Sequence, residues 1–322
     1  MQEPVAVFSL LTDFDISLFK AGKHFKLYEK LGSHVVQLGG DQGVYFAVWA
    51  PNAASVSVKG NFNHWNPDSH QLNVRWDGSG IWEGYIAGLG LGEVYKYQIQ
   101  STNGATLEKA DPFALINEHP PQTASVVSTT WYQWQDTNWM KHRYQHNALD
   151  KPYSVYEMHM GSWMRDPEHP DRFLSYREIA DRLVPYIKEA GFTHVEFMPL
   201  AEHPFYPSWG YQITGYFAAS ARYGRPQDLM FLIESLHKSD IGVILDWVPS
   251  HFPGDAHGLH KFDGSSLYEH EDPRKGFHPD WKSYIFNYGR NEVQSFLISN
   301  AFFFFFRYHI DGLRVDDVAS ML

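Results

Sequence analysis

A chain of 322 residues carrying 26 Lys and Arg against 37 Asp and Glu, a formal net charge of −11, is long enough for two domains or one large one. That charge repels polyanions over most of the surface, which disfavours nucleic acid and acidic membranes as partners. With no cysteine there is no disulfide, thiol nucleophile or cysteine-held metal; with no signal-peptide pattern in "MQEPVAVFSLL" and no apolar run near the ~20 residues of a membrane span, a soluble cytoplasmic protein is expected.

Residues 1–42 read as a helical lead through "LLTDFDISLFKAGKHFKLYEKLGSH". From 43 to 128 the texture changes to short strands: "GVYFAVWAP", "SVSVKGNF", "GIWEGYIAG" and "EVYKYQIQS" alternate with period two between Pro, Asn, Asp and Gly turns. This predicts an antiparallel, immunoglobulin-like β-sandwich without the disulfide. Trp65 and Trp82 in this segment are candidate surfaces for stacking on sugar, although the alternating strand around Trp82 favours a core position. Residues 129–152 are polar and weakly periodic and read as a linker.

Residues 153–322 have another rhythm. Four apolar segments, 154–160, 194–200, 242–248 and 312–318, have the composition of buried parallel strands. Helical patterns separate them. "SYREIADRLVPYIKEAGF" puts Ile179, Leu183 and Ile187 on one face and closes on Gly191, while "RPQDLMFLIESLHKSDIG" has Pro226 near its start and Gly242 after its end. Repeated strand and helix predict right-handed βαβ units, the first half of a (β/α)8 barrel. The helix "NEVQSFLISNAFFFFFRYH" would expose rings from its five phenylalanines, Phe302–Phe306. Long connections, 201–224 and 249–290, leave the carboxyl ends of strands, where such barrels keep their active sites.

Charged residues gather at those ends. Arg314 and Asp316 are two apart in "GLRVDDV" and so share a face, with Asp317 on the other; an arginine beside Asp316 favours an ionised carboxylate able to act as a nucleophile. Asp246 and His251 in "DWVPSHF" end the neighbouring strand, and the loop 202–217 adds Trp209, Tyr211 and Tyr216, whose rings are candidates to floor a sugar subsite. His203, His251, His257 and His260 lack a compact ligand spacing, so neither metal nor cofactor is expected.

These segments, "DWVPSHF", "GLRVDDV", "EHPFYPSWGYQITGYF", "YEMHMGSW" and "YFAVWAPNAASVSVKGNFNHWN", resemble the 1,4-α-glucan branching enzymes of the α-amylase superfamily, glycoside hydrolase family 13, and the sandwich resembles carbohydrate-binding module family 48. The resemblance implies a retaining transglycosylase acting on α-1,4-glucan, with Asp316 as nucleophile, Arg314 holding it, His251 and Tyr211 contacting the sugar before the scissile bond, and Asp246 orienting them. It also implies a second acid, a glutamate on a fifth strand, and a His-Asp pair after a seventh; neither lies within residues 1–322, so this chain alone should be inactive. A related hydrolase and a non-catalytic glucan-binding fragment are the alternative readings. Asp317 stands where that family usually has alanine.

Overall fold

The computed structural model describes residues 5–321. The lead forms α1 (Asp13–Lys20), whose start is fixed by Thr12: its Oγ accepts from the Asp15 amide at 3.2 Å while the Asp15 carboxylate accepts from the Thr12 amide at 2.8 Å. The sandwich follows as β1 (Gly32–Leu38), β2 (Asp41–Trp49), β3 (Ala53–Gly60), β4 (Asn73–Val74), β5 (Ile81–Ala87), β6 (Val94–Ser101), β7 (Thr106–Lys109), β8 (Ile116–Asn117) and β9 (Ser125–Val126). One sheet has the order β1-β2-β5-β4, the other β3-β6-β9-β8 with β7 also on β6.

The sandwich therefore starts eleven residues before its expected boundary at 43. β1 pairs antiparallel with β2 from Gly32 opposite Ala47 to Leu38 opposite Asp41 across a two-glycine turn, so of the described lead only 5–31 precedes the first named strand. β6 buries every second residue, with Tyr95, Tyr97 and Ile99 in the core. β2 buries every residue from Gly43 to Trp49, because the N-terminal segment covers its outer side: Ala6 bridges Tyr85, and Phe8 packs edge-on to Tyr45 at 5.7 Å.

The expected linker, 129–152, is also structured. It contains α2 (Thr137–His146), which buries Trp139 alone among its ten residues and therefore carries little periodic signal.

Beyond it, β10 (Val155–Met158), β11 (His194–Phe197), β14 (Gly242–Trp247) and β18 (Gly312–Val315) form one parallel sheet in that order, the four barrel strands predicted. α3 (Tyr176–Ala190) is capped by Ser175 and Glu178, buries Ile179, Leu183 and Ile187, and ends at Gly191 with φ 77°. α4 (Pro226–His237) begins at its proline but ends earlier than expected, where Asp240 takes the left-handed turn with φ 59°. Gly242 instead opens β14, and its role is close approach: a Cβ there would lie 2.2 Å from the His194 ring. That ring cannot easily give way, being held by Thr193 Oγ at 2.8 Å and Asn147 Oδ1 at 2.9 Å. Gly242→Ala should destabilise by about 1–3 kcal/mol, read as a lower urea midpoint; an unchanged midpoint would mean that β11 and β14 separate freely.

The long connections hold further strands: β12 (Ala201–Glu202) with β13 (Gly215–Ala219), and β15 (His251–Phe252), β16 (Phe277–His278) and β17 (Ser283–Ile285) in the order β15-β17-β16, with the one-turn helix α5 (Pro273–Gly276) before β16. α6 (Asn291–Arg307) carries the phenylalanine run. Exposure of that run is only partial: Phe303 and Phe304 are buried, Phe302 packs on Phe25 of the lead at 5.5 Å, and Phe306 stays 55% exposed. The lead thus clasps the barrel helix, and the Ser299 hydroxyl donates to the His24 carbonyl at 2.9 Å while accepting from the Leu27 amide. On the other side Lys109 of β7 donates to the carbonyls of Gly258 and His260, which seats the sandwich on the loop preceding β16.

Candidate active site

β14 and β18 are adjacent and in register, so Asp246 faces Arg314 directly across the pair. Arg314 Nη1 lies 3.1 Å from both Asp246 oxygens and donates to Asp316 Oδ1 at 2.6 Å. The Asp316 amide continues the ladder to the Trp247 carbonyl at 2.9 Å, which holds its side chain beside the arginine although β18 itself ends at Val315. Asp317 has φ 54°, so alternation along an extended strand no longer describes it.

Tyr211 donates its hydroxyl to Asp246 Oδ2 at 2.6 Å. Asp246 is 2% exposed; burial pushes its carboxyl up, and Tyr211 and Arg314 pull against that rise. Partial burial works against the Arg314 charge, but Asp246 and Asp316 outweigh it and the guanidinium is held above its ordinary value. Burial also lowers His251, whose Nδ1 sits 2.8 Å from the Ser250 hydroxyl, so its imidazole is neutral near pH 7.

A cleft of about 470 Å³ opens on this cluster, walled by Tyr211, His251, Trp281 and Asp316. The structure thus brings together Asp246, Arg314, Asp316, Tyr211 and His251. Tyr216 is not part of the floor: it is buried, and its hydroxyl donates to the His251 carbonyl at 2.8 Å, supporting the site from behind. Trp209 is exposed on the neighbouring loop and does not line the cleft. In the sandwich Trp65 is half-buried with its indole N–H on Asn61, whereas Trp82 is 8% exposed and donates to the Ala50 carbonyl, which removes it as a surface contact. The sequence reading missed Trp281 in the cleft and Trp76 on the sandwich, the latter 84% exposed.

Among the described residues no cluster of three or more His, Asp and Glu is arranged to hold a metal ion, and no helix is long and apolar enough to cross a membrane.

Comparison with known proteins places these features. Residues 30–114 match carbohydrate-binding module 48 (isoamylase N-terminal domain), and residues 175–285 match the alpha amylase catalytic domain. Proteins named 1,4-alpha-glucan branching enzyme are 58% identical in Aquifex aeolicus, over 98% of this chain and 50% of the relative, and 59% identical in Aromatoleum aromaticum, over 98% and 48%. The chain thus spans about half the length of these curated relatives. A crystal structure from Salmonella typhimurium, named as a candidate alpha amylase, shares the fold with a TM-score of 0.71 and 24% identity over 91% of this chain and 44% of that one. Sequence, domain order and fold agree: over nearly its whole length this chain is similar to one half of the 1,4-alpha-glucan branching enzymes, with a carbohydrate-binding module 48 region followed by part of an alpha amylase catalytic domain.

Proposed function

We propose that this chain carries the nucleophile-bearing half of a retaining α-glucan transglycosylase, whose substrate and partner is α-1,4-glucan and whose product carries α-1,6 branches. The observation that supports it most is the linked set Tyr211, Asp246, Arg314 and Asp316, of which Tyr211 and Asp316 line one cleft. Arg314 is tied to Asp246 as well as to Asp316, so the guanidinium fixes the position of the Asp316 carboxylate instead of following it. One Asp316 oxygen attacks the anomeric carbon while the bond to the leaving oxygen breaks, giving a covalent glycosyl ester. Tyr211, held by Asp246, offers its ring to the reacting sugar, and neutral His251 supplies a hydrogen bond without competing charge.

An activated donor tests the nucleophile directly, because fluoride leaves as an anion without a proton donor. Residues 1–322 incubated with α-maltosyl fluoride should gain one maltosyl group by intact mass, on the peptide carrying Asp316, and Asp316→Ala should gain none. No label, or a label elsewhere, would leave only a glucan-binding role.

A further inference from the structure

Trp281 is not accounted for by this scheme. It sits in the turn joining β16 to β17, whose ends pair His278 with Ser283, and Lys282 closes that turn with φ 52°. The His278 ring lies parallel to the indole, 4.0 Å between centroids and 6° from coplanar, and the Trp281 amide donates to His278 Nδ1 at 3.4 Å. The His251 ring approaches at 5.2 Å and 46°. β17 also pairs with β15, where His251 stands opposite Ile285, so the turn is tied to the segment that follows β14. Trp281 is thus fixed by backbone pairing and by a ring on one side, yet it remains 45% exposed on the wall of the cleft that contains Asp316. Holding so large an apolar side chain rigid and half in water is unfavourable unless something covers it. Beside it Asp280 offers an exposed carboxylate, an acceptor for hydroxyl groups.

We infer that Trp281, with Asp280, is a sugar-stacking platform that holds the glucosyl unit adjoining the one at Tyr211 and Asp316, and so sets how strongly the site grips a donor longer than one sugar. The apolar face of a pyranose covers the open part of the indole while its hydroxyls reach Asp280. The cleft, about 470 Å³, lies within the ~300–1,000 Å³ of ligand pockets. Because His278 and the hairpin already fix the indole, little conformational freedom is lost when sugar arrives. The inference rests on the reading of the cleft as an α-glucan site.

The experiment follows the concentration dependence of labelling by α-maltosyl fluoride in the 322-residue chain. Trp281→Ala should raise the half-saturating concentration about five- to tenfold, the scale of one aromatic contact, with the maximal labelling rate nearly kept. Trp281→Phe should restore most of the affinity. Trp281→Leu, apolar but without a flat face, should behave like the alanine variant; if it behaves like the parent chain, Trp281 serves only to cover His251 and the inference is overturned. Equal half-saturation in parent and alanine variant, with Tyr211→Ala impaired, also overturns the platform and leaves the nucleophile reading intact. Failure of the parent chain to label at Asp316 removes that reading and the platform with it.

Discussion

Purified residues 1–322 are expected to release no reducing ends and form no α-1,6 linkages from amylose, even though maltosyl fluoride should label Asp316. The contrast lies in the leaving group. A glucan leaving oxygen must be protonated as its bond to the anomeric carbon breaks, and a retaining site does this with a second carboxylic acid ~5 Å from the nucleophile. Among the described residues the other carboxylates of the cluster are unsuited to that task. Asp246 is buried beneath Arg314 and Tyr211 with its oxygens already accepting from both, so it neither faces the cleft nor has a free position for a donor proton. Asp280 is on the rim, exposed to water. Loss of general acid catalysis alone costs ~10²–10⁴ in rate. A second obstacle is that, among the described residues, β10 and β18 each have a neighbour on one side only; unpaired strand edges invite association with other chains. The check is to follow reducing ends and branch linkages separately with the purified chain. Turnover that Asp316→Ala abolishes would mean that an acid already in this sequence, Asp246, Asp317 or Asp280, supplies the proton after all.

The parts of this site that were legible in the sequence are those whose geometry is local. Arg314 and Asp316 are two residues apart, and the bond between them follows from period two carried one residue past the end of β18. That Asp246 joins them follows from adding one parallel strand, since β14 and β18 pair directly. The Gly191 end of α3 was legible in the same way, because a helix end is read from a few neighbouring residues.

Burial on both faces hid the rest. β13 buries every residue, so it does not alternate between a wet and a dry side, and nothing in the pattern around Tyr216 shows that its ring lies inward, whereas the strand around Trp82, which favours a core position, does bury that indole. Trp281 escaped for a different reason: its contact with His251 crosses a hairpin and a thirty-residue separation, and only pairing of β15 with β17 brings the two rings together. α2 was read as linker because tertiary contacts stabilise it. Trp139 stacks on His237 at 5.0 Å and donates its indole N–H to Asp311 at 2.9 Å, and both partners are more than ninety residues away.

Replacing His237 by alanine should destabilise the chain by about 3–5 kcal/mol near pH 6, the cost of breaking a buried ion pair from one side. His237 ends α4 at the amino-terminal face of the sheet, opposite the cleft, with both ring nitrogens engaged: Nδ1 lies 2.9 Å from Asp136 Oδ2 and Nε2 lies 3.0 Å from Asp311 Oδ2. His309 reaches Asp136 at 2.9 Å, the Val243 amide donates to Asp311, and Arg143 of α2 stands 4.0 Å from Asp311. Two buried carboxylates sharing one imidazole favour the doubly protonated ring, so although burial by itself would lower His237, Asp136 and Asp311 raise it above its ordinary value. Burial would likewise raise Asp136, but the bonds from His237 and His309 hold it well below the usual carboxylate range. The signs then fix a window. A raised His237 contributes fully below its unfolded value of ~6.5 and loses that contribution as pH rises through the folded value; a lowered Asp136 contributes fully above ~3.9 and loses it as pH falls through its folded value. Urea denaturation should therefore show the parent and His237→Ala furthest apart between pH ~4 and ~6.5, with the gap narrowing at higher pH as the ring gives up its second proton. A gap of constant size from pH 5 to pH 9 would show that His237 packs as a neutral ring.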